Sequence, residues 1–154
     1  MHRSVWNPRV IWAAAALWSL APAAFAADAA LTEANRATVT RFADLFYTQK
    51  NVGKAFADYV APDYVQHNPG IADGREAAVA ALTPMFAKPD QRFKIDKIVV
   101  DGDLAVIHLR VAAEGIPRGA SVVDMYRLKG GKVVEHWDVI QVVPEKAANA
   151  HPMF

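Results

Sequence analysis

The 154-residue chain has no cysteine. Disulfides, thiolate metal sites and thiol nucleophiles are therefore excluded, and an oxidising compartment carries no risk of wrong pairing. Charge of one sign is also missing. A formal net charge of +1 gives no electrostatic case for nucleic acid or for an anionic membrane. Long apolar runs are scarce: the one from Val10 to Leu20 falls short of the roughly 20 residues a spanning helix needs. Internal repeats are absent, and the 53% apolar and 21% charged fractions suit an ordinary globular protein with one hydrophobic core.

That short apolar run follows Arg3 and Arg9 and leads into Ala24-Phe25-Ala26, a small-x-small cleavage pattern. Residues 1–26 are therefore expected to be a signal peptide and the mature protein to be periplasmic or secreted. Its removal takes away Trp6, Trp12 and Trp18, leaves Trp137, and turns the formal charge from +1 to −1. Residues 27–154 are expected to form a single domain with a core over about 31–144 and a short tail over 145–154. No membrane contact is expected after cleavage.

Helix-period patterning comes first. Val39, Phe42, Ala43 and Phe46 lie at i, i+3, i+4, i+7, predicting a helix from a Thr32 cap to about Gln49. Asn51 is positioned to cap a second helix carrying Val52, Ala55, Phe56 and Tyr59, ended by Ala61-Pro62. Asp63 to Gln66 reads as extended and Asn68-Pro69-Gly70 as a turn. A third helix should begin near Asp73-Gly74 with Val79, Leu82 and Phe86 inward, kinked or ended by Pro84. From Arg92 the period becomes two. Phe93, Ile95 and Val99 mark one strand up to the Asp101-Gly102-Asp103 turn, and Leu104–Ala113 another with Ala105, Ile107, Leu109 and Val111 on one face. Gly115, Pro117 and Gly119 mark a loop. Ala120–Leu128 and Val133–Val143 follow as a hairpin around Gly130-Gly131. The pattern predicts an α+β domain, an antiparallel sheet with helices on one face.

The densest chemistry lies in Glu135-His136-Trp137-Asp138. Alternation places His136 and Asp138 on one face, Glu135 and Trp137 on the other. An aspartate in so apolar a strand has its charged form disfavoured by burial, which suits it to accepting a proton from a carbon acid; the plainer alternative is a rim aspartate paired with an arginine. Tyr64, Gln66, His67 and Asn68 precede the turn and offer hydrogen bonds to a substrate oxygen, although Asn68 also suits an Asx turn onto its own backbone. Asp124, in an apolar strand, needs a partner if buried. A two-residue Gly130-Gly131 loop pairs it with Trp137, whereas a three-residue loop from Lys129 pairs it with His136; the second is favoured, because it joins the ionisable groups on one face. His108 is alone on its strand and reads as structural, with substrate contact as the other role open to it. Tyr47, Tyr59 and Tyr64 read as core or cavity lining. The His136-x-Asp138 spacing matches part of a facial iron triad, with His67 or His108 as third ligand. In that class the distal histidine follows the pair, and only His151 does so here, so no metal is expected.

The run Asp124-Met125-Tyr126-Arg127-Leu128, a glycine hairpin, then Lys132-Val133-Val134-Glu135-His136-Trp137-Asp138-Val139-Ile140-Gln141 resembles the C-terminal hairpin of SnoaL-like polyketide cyclases, members of the nuclear transport factor 2 superfamily. Tyr64-Val65-Gln66-His67-Asn68-Pro69 looks like their motif after the second helix, and the likeness spans about Leu31 to Pro144. It implies a cone-shaped fold in which a curved sheet and three N-terminal helices enclose a pocket, commonly dimeric through the sheet. It is similar to the subgroup described as predicted aldol-condensation enzymes. The resemblance implies that Asp138 is the acid/base and Asn68 a pocket residue, with Asp124 standing where the cyclases keep a second catalytic histidine. An exported location also departs from cytoplasmic polyketide biosynthesis. The expectation is a cofactor-free lyase or isomerase acting on a small apolar carbonyl compound, with Asp138, His136 and Asp124 catalytic and Tyr64, Gln66, His67, Asn68, His108 and Trp137 around the substrate. A non-catalytic small-ligand-binding protein is the alternative, and a homodimer is expected in either case.

Overall fold

The computed structural model describes residues 21–154, with side chains from Phe25 onward. The positive opening and the Val10–Leu20 stretch lie outside the described residues. Among those described, no helix is long and apolar enough to cross a membrane.

Helix α1 spans Ala21–Ala43 and passes directly into a π-helical turn, Asp44–Thr48. The helix therefore starts before Thr32, which is not a cap. Its hydroxyl instead accepts the Gly102 N–H at 3.0 Å, and Asn35 Nδ2 donates to Gly102 O at 2.8 Å, tying α1 to the Asp101-Gly102-Asp103 turn. The π turn carries one more residue than an α turn would, and Phe46 and Tyr47 are both buried there. Helix α2, Val52–Tyr59, is capped by Asn51, whose side chain accepts from Lys54 N. Strand β1, Val60–Gln66, follows without a loop. Helix α3, Arg75–Phe86, continues past Pro84 and buries Ala78, Leu82 and Phe86.

The remaining strands are β2 (Arg92–Asp101), β3 (Leu104–Ala113), β4 (Ile116–Lys129) and β5 (Lys132–Val142). The sheet order is β1-β5-β4-β3-β2. All neighbours are antiparallel except β1 and β5, which run parallel, so the sheet is mixed at that edge. The α+β expectation is met: a curved, open sheet with its helices over one face, enclosing an aromatic core. Phe86 stacks on Phe46 at 4.5 Å and on Phe93 at 4.3 Å.

Several irregularities depart from simple alternation. The β2–β3 register shifts between Ile95 and Lys97, leaving Asp96 as the extra residue. Each bulge of this kind exchanges the faces beyond it. Val100 is therefore the buried residue near the end of β2, and Val99 is 58% exposed, the reverse of the alternation drawn from Phe93. β4 begins at Ile116, so the expected Gly115–Gly119 loop reduces to a turn at Glu114-Gly115. Finally, the β4–β5 hairpin has the two-residue loop, with Lys129 opposite Lys132, but the register shifts between Arg127 and Leu128. Val134 is the extra residue. Asp124 then lies opposite Asp138, and Tyr126 opposite His136. Neither register drawn from the sequence is the one formed, because a bulge inside a strand leaves no glycine to mark it. After β5 the chain crosses outside regular structure, and the Arg110 guanidinium sits 3.8 Å from the Phe154 ring centroid.

Candidate functional site

Helices and sheet enclose a cavity of about 290 Å³. Its walls are mostly apolar, with Phe46, Phe86, Phe93, Leu109, Val122 and Ile140 among them, and among the described residues neither lysine nor arginine lines it. Its polar groups come from the inner face of β4 and β5, from the end of β1, from the π turn and from Gln91 just ahead of β2.

The hydrogen positions follow from the partners. Asn68 Oδ1 accepts the Gly70 N–H at 2.8 Å, so its Nδ2 faces Asp138 and donates to Oδ2 at 2.6 Å. The Asx turn and the pocket role expected of Asn68 thus coexist, one on each end of the amide. Gln66 Oε1 accepts the Asn68 N–H at 2.9 Å, which fixes that amide too; its Nε2 donates to Tyr64 Oη at 3.1 Å. His136 Nδ1 lies 2.8 Å from the same Gln66 oxygen and therefore carries a hydrogen. On the other side His136 Nε2 lies 3.1 Å from Asp124 Oδ1, so one proton is held between imidazole and carboxyl. Both residues are 7% exposed. Tyr47 donates to Asp124 Oδ2 at 2.5 Å and receives Tyr126 Oη at 2.6 Å. The result is a continuous chain joining Tyr126, Tyr47, Asp124, His136 and Gln66, in which the Tyr126 and Tyr47 hydroxyls point toward Asp124 and His136 donates to Gln66.

Burial raises the hydroxyls of Tyr47, Tyr64 and Tyr126 above their ordinary value, and the Asp124 charge raises them further. All three remain neutral donors at physiological pH. The Tyr64 hydroxyl receives Gln66, and its own proton has no acceptor among the described residues.

Of the residues singled out in the sequence, Tyr64, Gln66, Asn68, Asp124, His136 and Asp138 meet at this cavity. His67, Trp137 and His108 do not. His67 and Trp137 stack on the outer face, rings 4.7 Å apart and 7° from parallel, because the alternation that turns His136 and Asp138 inward turns Trp137 outward. His67 Nε2 contacts Glu135 Oε1 at 2.9 Å, and Arg127 Nε contacts Glu135 Oε2 at 3.0 Å. The bond from His67, with Arg127 adding to it, holds the Glu135 carboxyl below its ordinary value. His108, also outward, meets Ser121 Oγ at 2.8 Å. Sequence reasoning places Tyr47 only as lining and misses Tyr126. A signal for Tyr126 exists: it stands two residues from Asp124, on the same strand face.

Asp124, His136 and Asp138 place one ligand atom each within 4.8 Å of one another, the spacing of a metal-binding group. The third member is Asp124, not His67 or His108. An ion there would have to displace the His136–Asp124 bond.

A family model for the SnoaL-like domain matches residues 39–136. The chain belongs to the SnoaL-like domain family. No curated protein matches it by sequence. Solved structures carry the same fold. A nuclear transport factor 2-like protein of unknown function from Mesorhizobium loti is 25% identical, with 71% of this chain and 93% of that one covered and a TM-score of 0.61. A proposed polyketide cyclase from Acidithiobacillus ferrooxidans is 23% identical, covering 70% and 87%, TM-score 0.57. A proposed ketosteroid isomerase from Kribbella flavida is 18% identical, covering 77% and 85%, TM-score 0.62. The SnoaL-like match thus runs from α1 to His136, and the structure adds Asp138 just beyond it.

Proposed function

We propose that this SnoaL-like domain is a cofactor-free lyase or isomerase that moves a proton on a small, uncharged, largely apolar carbonyl compound. One observation carries it: Asp138 stands at the polar end of an apolar cavity with Oδ2 gripped by Asn68, while Oδ1 has no hydrogen-bond partner among the described residues. In the proposed step Oδ1 takes the proton from the carbon next to the carbonyl, and the electron pair moves onto the carbonyl oxygen. The unused Tyr64 proton and the second Asn68 N–H are the donors for that oxygen. This replaces His67, which lies outside the cavity. His136 and Asp124, held to each other, support the position of Gln66 and Tyr64. Return of the proton to a different carbon completes an isomerisation; attack of the enolate carbon on a second carbonyl is the aldol-type variant. Among the described residues the cavity wall carries two carboxylates and no lysine or arginine, which disfavours an anionic substrate, and its mostly apolar lining suits an uncharged one.

The test does not depend on the natural substrate. A panel of small cyclic ketones and β-keto esters is incubated with the protein in deuterated water, and α-hydrogen exchange is followed by nuclear magnetic resonance. Enzyme-dependent exchange that disappears in folded Asp138→Asn supports the proposal. Tight binding without exchange, equal in both proteins, favours the ligand-binding alternative.

Export and dimerisation belong to the same proposal. Phe25 is 74% exposed, and among the described side chains α1 first bonds to the β2–β3 turn at Thr32, so cleavage after Ala26 spares that anchored part of the helix. N-terminal sequencing from the native host should give Ala27. On the outer sheet face Val99 and Val139 are 58% and 62% exposed, which favours a second copy covering them. Sedimentation should give about twice the mature mass, and a monomer at micromolar concentration refutes the dimer.

A further inference from the structure

We propose that His67 is a positioning residue which, from the outer face of the sheet, holds the Asn68 amide on Asp138. This rests on the role given above to Asp138. The end of β1 needs such a device. It is the edge strand, and its pairing with β5 is broken between Val60 and Val65, resuming only at Val65–Glu135 and Gln66–His136. The last backbone bond of the strand, His67 N–H to His136 O, is 2.9 Å. Beyond it the chain enters the Asn68-Pro69-Gly70 turn, where no ladder bond fixes Asn68.

Side chains take over, alternating across the sheet. Gln66 turns inward and meets His136. His67 turns outward; its ring lies flat on Trp137 and its Nε2 meets Glu135. Asn68 turns inward and meets Asp138. Three successive residues are thus stitched to four successive residues of β5, from Glu135 to Asp138. The outer stitch is itself braced. Arg127 binds Glu135 at 3.0 Å and Asp103 at 2.9 Å, and lies 5.7 Å from the Trp137 ring centroid. Besides Glu135 and Asp138, Asp73 bonds this segment, accepting the Gln66 N–H at 2.8 Å. With the ring of His67 seated between Trp137 and Glu135, the peptide that follows has one direction, and the Asn68 side chain is delivered to Asp138 Oδ2.

The test requires no substrate, so it stands apart from the fate of the proposed reaction. The Asn68 side-chain amide protons are followed by nuclear magnetic resonance in the full chain, for chemical shift and for exchange with water. Asp138→Asn, which removes the carboxylate acceptor, marks where the signal lies when the charged bond is lost. In His67→Ala the Asn68 signal should move most of the way to that position, with exchange faster by about tenfold, while the melting temperature stays close to that of the unaltered protein. His67→Phe keeps the stack and loses the Glu135 contact, and should fall between the two, a partial rescue that a merely space-filling role would make complete. Should His67→Ala fail to fold, His67→Phe and Glu135→Gln decide alone: both must shift the Asn68 signal. An Asn68 amide unchanged in shift and exchange in any folded His67 variant overturns the proposal.

Discussion

Asp124 and Asp138 face each other directly across the β4–β5 ladder, on the side of the sheet that lines the cavity. Like charges directly opposite in a sheet repel, and the surroundings treat the two differently. Asp124 is buried and shares a proton with His136 while receiving Tyr47. Asp138 is half-buried, receives Asn68 alone among the described residues, and keeps an oxygen for a ligand. One carboxylate is therefore structural in its bonding and the other is available.

That asymmetry predicts opposite outcomes for two substitutions. Asp124→Ala leaves His136 Nε2 and the Tyr47 hydroxyl proton without their partner in a buried place, and should cost about 3–5 kcal/mol of stability. Asp138→Asn keeps size and the partly exposed setting and should change stability by less than about 1 kcal/mol. On the proposed reaction it should lose about 10²–10⁴-fold in rate. Denaturant unfolding of both variants, read beside the exchange assay, separates the roles. Equal stabilities would remove the distinction.

Tyr47→Phe removes a donor to Asp124 and the acceptor of Tyr126 in one step. Two buried groups lose a partner, so the cost should be about 2–4 kcal/mol. Tyr126→Phe removes only the first donor in the chain and should cost about 1 kcal/mol. The order of the two midpoints in urea checks the direction assigned to the hydroxyls; a reversed order means that the chain runs the other way.

Gly119 has φ 79°, and a Cβ there would stand 2.6 Å from the Val111 carbonyl oxygen. Left-handed strain and a backbone clash together predict a loss of at least about 2 kcal/mol for Gly119→Ala. Gly53, within α2, has open space around it. Gly53→Ala should therefore stabilise by about 0.4–1 kcal/mol. The pair of thermal midpoints should move in opposite directions.

What the sequence makes legible follows from periodicity. The stripe Val39, Phe42, Ala43, Phe46 is buried as the 3.6 period demands, and Asn51 caps α2 because its side chain competes well for a free N–H. The inward set Gln66, Asn68, Asp124, His136 and Asp138 is legible because alternation is local. His67 is misplaced by treating Gln66-His67-Asn68 as one hydrogen-bonding unit, when the same alternation turns its middle member outward. Registers are not legible. The bulges at Asp96 and Val134 sit inside regular strands, where packing of the helices against the sheet decides the curvature and no turn residue announces it. The π turn that buries both Phe46 and Tyr47 is hidden for a similar reason, since its extra residue is set by tertiary packing.

The buried tyrosines make alkaline pH the sharpest solution test of the site. Tyr47, Tyr64 and Tyr126 are held above their ordinary value, by burial first and by the Asp124 charge next. A group whose folded value exceeds its unfolded value contributes stability that is complete below the unfolded value and is lost as pH rises toward the folded one. The window therefore opens near the ordinary tyrosine value of about 10. Above it each of the three should withdraw about 1.4 kcal/mol per pH unit, together about 4 kcal/mol. A domain of ordinary stability, about 5–15 kcal/mol, should then unfold within about one to four units above pH 10. Tyrosinate absorbance and Trp137 fluorescence, recorded on the same samples, should change in one cooperative step. Tyr47→Phe should reduce the steepness of that step by about a third, because one of three coupled ionisations is gone. Smooth ionisation of all the tyrosines near pH 10, with Trp137 fluorescence unchanged, would mean that these hydroxyls are not buried against Asp124 in solution.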